Sequence, residues 1–263
     1  MQKHAYLIMS HNDFYILEKL LRLLDDRRND IYVHIDKKVK NFDFKYFKKI
    51  CKHSEVKFIK RIKVYWGGYS QVQCELNLLE EAIKNNYEYY HLLSGVDLPL
   101  KNQDNIHIFF KQNNGKEFIR FSQNKWDYDR VAKINLLSDY NKTNNKFKLY
   151  MYISINKFIS KLINRRNYDY TEKFPKYKFM KGDNWFSITN ECAHYICQNK
   201  HNIRKMFKYA IGADEHFIHT IVYNSKFKEK ISFNTCLREI DWDRGNPYIY
   251  KIQDFKLLIS SEN

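Results

Sequence analysis

The first hundred residues alternate short apolar runs with segments of helical periodicity. Apolar runs predict four buried strands, at 5–9, 31–35, 56–59 and 89–93. Between them, segments 14–24 and 71–83 repeat apolar residues at the three- and four-residue spacing of an amphipathic helix. The order strand, helix, strand, strand, helix, strand is typical of a largely parallel sheet covered by helices. We therefore predict an α/β fold.

Polar residues and glycines follow these predicted strands. They are Ser10, His11, Asp36, the turn 65–68, Gly95 and Asp97. Because ligands collect at the carboxyl ends of parallel strands, we expect these positions to border one crevice. Asp97 has two interpretations: its carboxylate contacts a sugar hydroxyl, a ribose or a metal, or it caps the next helix or fixes the turn before Pro99.

The second half of the chain predicts a strand at 184–189 and helices at 147–166, 191–198 and 215–223. The last of these follows Gly212, Ala213 and Asp214. In one interpretation, Asp214 caps the helix and Glu215 favours its dipole. In the other, Glu215 is a half-exposed carboxylate that acts as general base on a hydroxyl. Local sequence alone favours the first interpretation.

Charge narrows the choice of partners. Lys and Arg number 46 against 30 Asp and Glu, a net charge of +16, which attracts nucleic acid, anionic lipid or a phosphorylated ligand. The segment 142–181 holds eleven basic residues and two acidic ones. Its basic amphipathic helix either lies on a membrane surface or is an ordinary helix whose lysines face water. Five cysteines without a CxxC pair, and the lack of a signal peptide or transmembrane run, favour a cytoplasmic location.

Several chemistries lose support. No GxGxxG, P-loop or GxSxG motif occurs, which disfavours dinucleotide, P-loop nucleotide and hydrolase sites. The Asp-x-Asp triplets at 127–129 and 241–243 stand in polar loop sequence and are weak metal sites. Nucleic-acid binding gains from the charge, but no recognition module is present. Segment 237–247 mixes arginine, tryptophan and a Gly/Pro turn, which suits phosphate and sugar contacts or a salt-bridged surface turn.

Seven segments, in order and across nearly the whole chain, resemble the core-2/I-branching N-acetylglucosaminyltransferases and the related peptide O-xylosyltransferases (glycosyltransferase family 14), in particular their short bacterial members. The segments are 4–11 (HAYLIMSH), 32–36 (YVHID), 64–72 (VYWGGYSQV), 93–101 (LSGVDLPLK), 181–187 (KGDNWFS), 214–215 (DE) and 238–242 (REIDW). The resemblance implies a GT-A-type fold, with a mixed, mostly parallel sheet flanked by helices. We expect one domain over 1–263, with a nucleotide-sugar half at 1–123 and an acceptor and catalytic half at 124–263.

The resemblance also implies an inverting transfer of a sugar, most simply GlcNAc, from a UDP-sugar to a hydroxyl of a glycan or lipid-linked oligosaccharide. Glu215 matches the general base of the family. Asp36 would hold the ribose or uridine, with Val64 and Tyr65 near the uracil. The remaining donor positions would be Ser10, His11, Gly95 and Asp97.

Asp183, Trp185 and Trp242 match positions beside the acceptor and the donor sugar. The resemblance also implies that no metal is used and that basic side chains neutralise the diphosphate. Arg244 is the first candidate for this role, followed by Arg238 and Lys251. In the family a further lysine follows the segment that matches 254–258. Since the sequence ends at Asn263, either another residue serves or the chain is truncated at its C-terminus.

We accordingly expect a UDP-sugar and a glycan as partners, peripheral contact with the inner membrane face through 142–181, no cofactor, no metal and no nucleic acid. The alternative is a non-catalytic basic protein that binds RNA or anionic lipid, which rests only on the charge and the aromatic content.

Overall fold

The computed structural model describes residues 3–140, 145–163, 169–245 and 247–259. Its strands are β1 (His4–Ser10), β2 (Asn29–Ile35), β3 (Glu55–Phe58), β4 (Tyr89–Ser94), β5 (Phe118–Phe121) and β6 (Gly182–Thr189). Its α-helices are α1 (Phe14–Leu24), α2 (Phe44–Lys48), α3 (Tyr69–Ala82), α4 (Gln103–Gln112), α5 (Asp129–Ala132), α6 (Lys146–Ile163), α7 (Asn190–Gln198), α8 (Lys200–Phe207), α9 (Phe217–Tyr223) and α10 (Phe255–Ile259). Short 3-10 helices include Ser138–Tyr140, Ala213–Glu215 and Ile252–Asp254.

The six strands form one sheet in the order β3-β2-β1-β4-β6-β5. The first four are parallel, β6 runs antiparallel to β4, and β5 runs antiparallel to β6. The predicted mixed, mostly parallel sheet is therefore confirmed. Because β6 is reversed, its first residues share an edge with the carboxyl ends of the other strands. This strand edge contains Ser10, Asp36, Ser94, Phe121 and Gly182.

Helices cover both faces of the sheet. Leu17, Leu20 and Leu24 of α1 are buried in a cluster with β1, β2 and β3, as the spacing of α1 predicts. On the other face, α3 packs in a larger cluster together with α7, α8 and α9. The two clusters bury the strands on both sides, which accounts for their near-continuous apolar sequence.

The predicted strands and helices of the first half are confirmed to within three residues at each end. Among the described residues, six helices and strands were not predicted: α2, α4, β5, α5, α8 and α10. They are short or mostly polar; α8, for example, buries only Ile203, Met206 and Phe207. The predicted end of the helix at 147–166 lies outside the described residues, and within them α6 ends at Ile163.

The predicted helix at 215–223 is wrong at its start. A 3-10 turn ends at Glu215, and α9 begins only at Phe217. Gly212 opens the turn with φ of 65°, a conformation that glycine adopts without strain. His216, at φ −123° and ψ −38°, leaves the helical region and separates the turn from α9. Glu215 consequently stands on a separate turn rather than in the first turn of a long helix.

Candidate functional site

Three strand ends bring the predicted donor positions together. The Asp36 N–H donates to the Ser10 carbonyl at 2.9 Å, and the Gly95 N–H donates to the Met9 carbonyl at 2.8 Å. A Cβ on residue 95 would collide with the Ser10 side chain, so the close approach requires glycine. His11 is exposed beside this point and lines an open cleft of about 470 Å³ with Asp36. The ends of β1, β2 and β4 therefore lie side by side, as predicted for one border of the crevice.

Asp36 organises one corner of this cleft. Its carboxylate is buried and accepts the Lys38 N–H at 2.7 Å on Oδ1 and the Val64 N–H at 3.4 Å on Oδ2. The Lys38 ammonium lies 3.3 Å from Oδ2 and 4.7 Å from the centre of the Tyr65 ring. We name Asp36, Lys38, Val64 and Tyr65 the donor corner. It offers a carboxylate, an ammonium and an aromatic face to one ligand.

Arg61 holds the loop that carries the donor corner. Its guanidinium donates to the carbonyls of Ile35 at 2.9 Å and Asp36 at 2.6 Å. A third hydrogen bond, to the Val39 carbonyl, ties the following turn to the same guanidinium. The chain beyond β2 is therefore fixed by one side chain from the segment after β3.

Asp97 fixes the turn at the end of β4. Its carboxylate accepts the Ser94 N–H at 2.8 Å and the Ser94 hydroxyl at 3.0 Å. Helix α4 has a different cap, because the Asn102 side chain accepts the N–H of Asn105. Of the interpretations open from the sequence, the structure shows the turn-fixing one; a ligand contact by Asp97 stays a prediction.

The turn that carries Glu215 is bound to the turn at 65–68. The Gly212 N–H donates to the Gly67 carbonyl at 2.8 Å. Gln71 links the two turns, because its amide oxygen accepts the Gly67 N–H while its amide nitrogen donates to Asp214 Oδ2 at 3.1 Å. The Asp214 side chain therefore points inward and does not cap α9, whose first turn has no side-chain cap. The helix-cap interpretation of Asp214 is wrong.

Asp214 and Glu75 form a buried pair of carboxyl groups. Glu75 lies one helical turn beyond Gln71 and is fully buried, and neither of its carboxyl oxygens has a hydrogen-bond partner among the described residues. Burial raises the pKa of Glu75 well above its ordinary value, and the charge of Asp214 adds to this. Burial and then the charge of Glu215 raise the pKa of Asp214 to about 7. The burial of Glu75 and its lack of a hydrogen-bond donor among the described residues both favour the protonated carboxyl group.

Glu215 itself is partly open to solvent, with 31% of its side chain exposed. Lys181 Nζ lies 3.1 Å and Arg130 Nη1 lies 3.3 Å from the same oxygen, Oε2. The ion pairs and hydrogen bonds formed among the described residues do not involve Oε1. Two cations thus orient the carboxylate while its other oxygen remains able to accept a proton.

The ends of β5 and β6 form a second cleft, of about 370 Å³, beside Lys181. Asp183 lines it and is paired with Arg120. The Cys236 thiol also donates to Asp183, at 3.4 Å. Trp185 is partly buried against the larger core cluster. Lys181 therefore lines the same cleft as Asp183, the predicted acceptor position, and also contacts the Glu215 carboxylate.

Arg238 binds the backbone of β4 just beyond the last residue that pairs with β6. The ladder between β4 and β6 ends at His91, and Arg238 Nη2 donates to the next carbonyl, that of Leu92, at 2.9 Å. Its Nη1 donates to the carbonyls of Leu237 and Cys236 at 2.9 and 3.2 Å. The guanidinium is thus engaged by backbone, and its predicted contact with a diphosphate stays a prediction.

The other predicted residues of this region lie in a C-terminal tail, residues 239–245 and 247–259. Arg244 Nη1 contacts Asp254 at 2.8 Å, its Nε bonds to Asp241 at 2.5 Å, and its guanidinium stacks 4.1 Å from the centre of the Tyr248 ring. Trp242 is 57% exposed. Lys251 is also exposed. Among the described residues, the contacts of Arg244 all lie within the tail, so its role toward a donor also stays a prediction.

Within the described residues, no group of three or more His, Cys, Asp or Glu side chains could hold a metal ion. The two Asp-x-Asp triplets have other partners: Asp129 is paired with Lys133, and Asp241 with Arg244. In the same part of the chain, no helix has the length and apolar character needed to cross a bilayer.

The sequence matches a known protein family. The model of the Core-2/I-branching enzyme family matches residues 4–257, which is almost the whole sequence. The chain belongs to the Core-2/I-branching enzyme family. The predicted family is thereby confirmed, and with it the predicted GT-A-like α/β fold.

Curated members and relatives of this family are distantly similar. A beta-1,3-galactosyl-O-glycosyl-glycoprotein beta-1,6-N-acetylglucosaminyltransferase 3 from Bos taurus is 27% identical over 47% of this chain and 30% of its own length. Xylosyltransferase 2 from Rattus norvegicus is 21% identical over 91% of this chain and 26% of its own length. A human N-acetyllactosaminide beta-1,6-N-acetylglucosaminyl-transferase is 29% identical over 43% and 29%. The aligned regions span less than a third of each relative.

Sequence reasoning about this Core-2/I-branching enzyme missed the residues that hold the candidate base and the donor corner. Arg130 reaches Glu215 across 85 positions and Gln71 reaches Asp214 across 143. Lys38 and Arg61 are two of 46 lysines and arginines, and the sequence does not distinguish them from the others. Gln71 and Lys181 carried a signal, since each lies in a segment that resembles the family.

Proposed function

We propose that this Core-2/I-branching enzyme is an inverting glycosyltransferase that moves a sugar, most simply GlcNAc, from a UDP-sugar to a hydroxyl of a glycan acceptor. In the proposed step Glu215 Oε1 takes the proton of the acceptor hydroxyl. The acceptor oxygen forms a bond to the anomeric carbon from the face opposite UDP. The bond between that carbon and the diphosphate oxygen breaks, and UDP leaves with its electron pair.

The observation that carries this proposal is the setting of Glu215 on the strand edge. Arg130 and Lys181 both contact Oε2, so the carboxylate has a fixed orientation before any substrate binds. A positioned base contributes more than a mobile one because its reactive geometry is already set. Lys181 also borders the cleft of Asp183, which would bring an acceptor bound there to the base.

The donor corner supports a nucleoside site. The Asp36 carboxylate can accept a ribose hydroxyl with lone pairs that its present contacts leave, and the Tyr65 ring offers a face to the uracil. Ser10, His11 and Gly95 adjoin this corner at the neighbouring strand ends. Asp183 and Trp185 would border the acceptor, with Trp242 beside the sugars.

We further propose that the diphosphate is neutralised by basic side chains without a metal ion. Arg244 remains the first candidate. A diphosphate would have to replace Asp241 or Asp254 as its partner, which the exposed position of the guanidinium permits. Arg238 and Lys251 are the other candidates. We expect transfer to continue in excess chelator, and a strict requirement for Mn²⁺ would contradict this part of the proposal.

Substitution of the base tests the mechanism. We expect Glu215→Gln to lower kcat by about 10²–10⁴-fold while the affinity for UDP, measured by calorimetry, is unchanged. Glu191→Gln is the matched control, because Glu191 is an exposed glutamate on α7 that also contacts two lysines. A Glu215→Gln enzyme with the wild-type transfer rate would refute the assigned base. A panel of UDP-sugars in a thermal-shift assay, followed by transfer assays, identifies the donor.

Membership of a glycosyltransferase family gives no support to the alternative of a non-catalytic RNA- or lipid-binding protein. Steeply salt-dependent RNA binding together with no UDP binding would revive it. We place the proposed enzyme in the cytoplasm, where UDP-sugar and a lipid-linked acceptor meet at the inner membrane face.

A further inference from the structure

Helix α6 stands out by its contacts. Tyr152, Asn156 and Ile159 are partly buried on one side, and Asn156 Nδ2 donates to the Leu136 carbonyl at 3.0 Å. The opposite side carries large apolar residues that are mostly exposed: Phe147 at 70%, Tyr150 at 70%, Phe158 at 63% and Leu162 at 62%. An ordinary surface helix shows the reverse pattern, with polar residues facing water.

Four of the exposed apolar residues form one stripe. Phe147, Met151, Phe158 and Leu162 follow one another at intervals of four, seven and four residues, which keeps them on one face of a helix. We name these four residues the α6 stripe. A continuous exposed stripe of this kind marks an interaction surface, whereas single exposed apolar residues are common.

Lysines flank the α6 stripe along one side. Lys146, Lys157 and Lys161 each directly precede a residue of the stripe and are exposed. The sequence of α6 contains no aspartate or glutamate. The helix thus combines a purely cationic flank with an apolar face, which is the composition of helices that lie in the interface of a bilayer.

We propose that the exposed face of α6 docks on the surface of an anionic lipid bilayer, a property that goes beyond the transfer reaction. The stripe would enter the boundary between headgroups and acyl chains while the lysines contact lipid phosphates. A second copy of this chain fits less well, because the two lysine flanks would repel one another on a protein of net charge +16. RNA would leave the four apolar side chains unused.

The first turn of α6 lies close to the donor corner. Lys148 Nζ sits 5.2 Å from the centre of the Tyr140 ring, and that ring is 5.7 Å from the ring of Tyr65. The neighbouring Asp139 accepts a hydrogen bond from the Ser70 hydroxyl at 2.8 Å, at the start of α3. The proposed bilayer contact would therefore be made by a helix whose first turn adjoins the donor corner.

Vesicle flotation tests the proposal. We expect the full chain to float with vesicles of phosphatidylcholine and phosphatidylglycerol, to stay behind with phosphatidylcholine alone, and to lose binding as salt is raised. The triple variant Phe147→Ser, Phe158→Ser and Leu162→Ser should abolish flotation. Its matched control is Tyr15→Ser with Leu23→Ser, which removes exposed apolar residues from α1.

The lysine flank has its own test. Lys157→Gln with Lys161→Gln should weaken partition onto the anionic vesicles by about fivefold for each lysine removed. Lys45→Gln with Lys48→Gln removes the same charge from α2 and should have little effect. The thermal midpoint of every variant, and transfer to a soluble acceptor, should be unchanged, which separates this proposal from the proposed function.

Four outcomes would overturn the proposal. They are no flotation of the wild-type chain, equal flotation of the triple variant, equal binding to neutral vesicles, and a dimer in sedimentation that the triple variant dissociates. RNA binding that the stripe substitutions leave intact while flotation is absent would point to nucleic acid as the partner of the basic surface.

Discussion

The strand edge and the C-terminal tail both carry residues that resemble the family, but they differ in how those residues are held. On the strand edge, Asp36 and Glu215 are fixed by groups from distant parts of the chain, including Val64, Lys181 and Arg130. In the tail, the contacts that Arg244 makes among the described residues are all with nearby residues. Resemblance in sequence therefore identifies both regions, whereas only the strand edge shows a preorganised arrangement.

Tryptophan substitutions give the largest expected difference between the two regions. Trp185 packs against the larger core cluster, so Trp185→Ala should lower the free energy of unfolding by about 3 kcal/mol. Trp242 is exposed, and Trp242→Ala should change it by less than about 0.5 kcal/mol. Urea unfolding of both variants measures the effect. Equal losses of stability would mean that the tail is as firmly packed as the strand edge.

The buried Asp214 gives a smaller, pH-dependent difference. Its pKa is about 7 in the folded chain against an ordinary 3.8, so the folded state binds a proton more readily between these values. The associated stability is present below about pH 4 and is lost as the pH rises toward 7. Asp214→Asn binds no such proton. Relative to the wild type, its free energy of unfolding should therefore rise by about 2 kcal/mol between about pH 5 and about pH 8.

The tail supplies the control for this prediction. Asp241 is paired with Arg244, and hydrogen bonds from Arg244 lower its pKa below the ordinary value. Its stabilising contribution is therefore lost only at acidic pH, as the carboxylate becomes protonated. Asp241→Asn should leave the slope of stability between about pH 5 and about pH 8 unchanged, and a slope altered as in Asp214→Asn would remove the distinction between the two sites.

The sequence predicts the sheet well because its strands are buried on both faces and read as apolar runs between turn residues. The donor positions follow from the same pattern, since strand ends meet at one edge. The environment of Glu215 could not be predicted in this way. It depends on Gln71 and Asp214 meeting across the fold and on a break at His216, and neither is encoded in local periodicity.

Binding of UMP and UDP to Asp36→Asn and Arg244→Gln, compared by calorimetry, tests most directly the central claim that the strand edge holds the nucleoside. We expect Asp36→Asn to weaken both ligands by about tenfold, which corresponds to the loss of one charge-assisted hydrogen bond. Arg244→Gln should leave UMP binding unchanged and weaken only UDP. Wild-type affinity for UMP in Asp36→Asn, or an equal loss for UMP in Arg244→Gln, would contradict the claim.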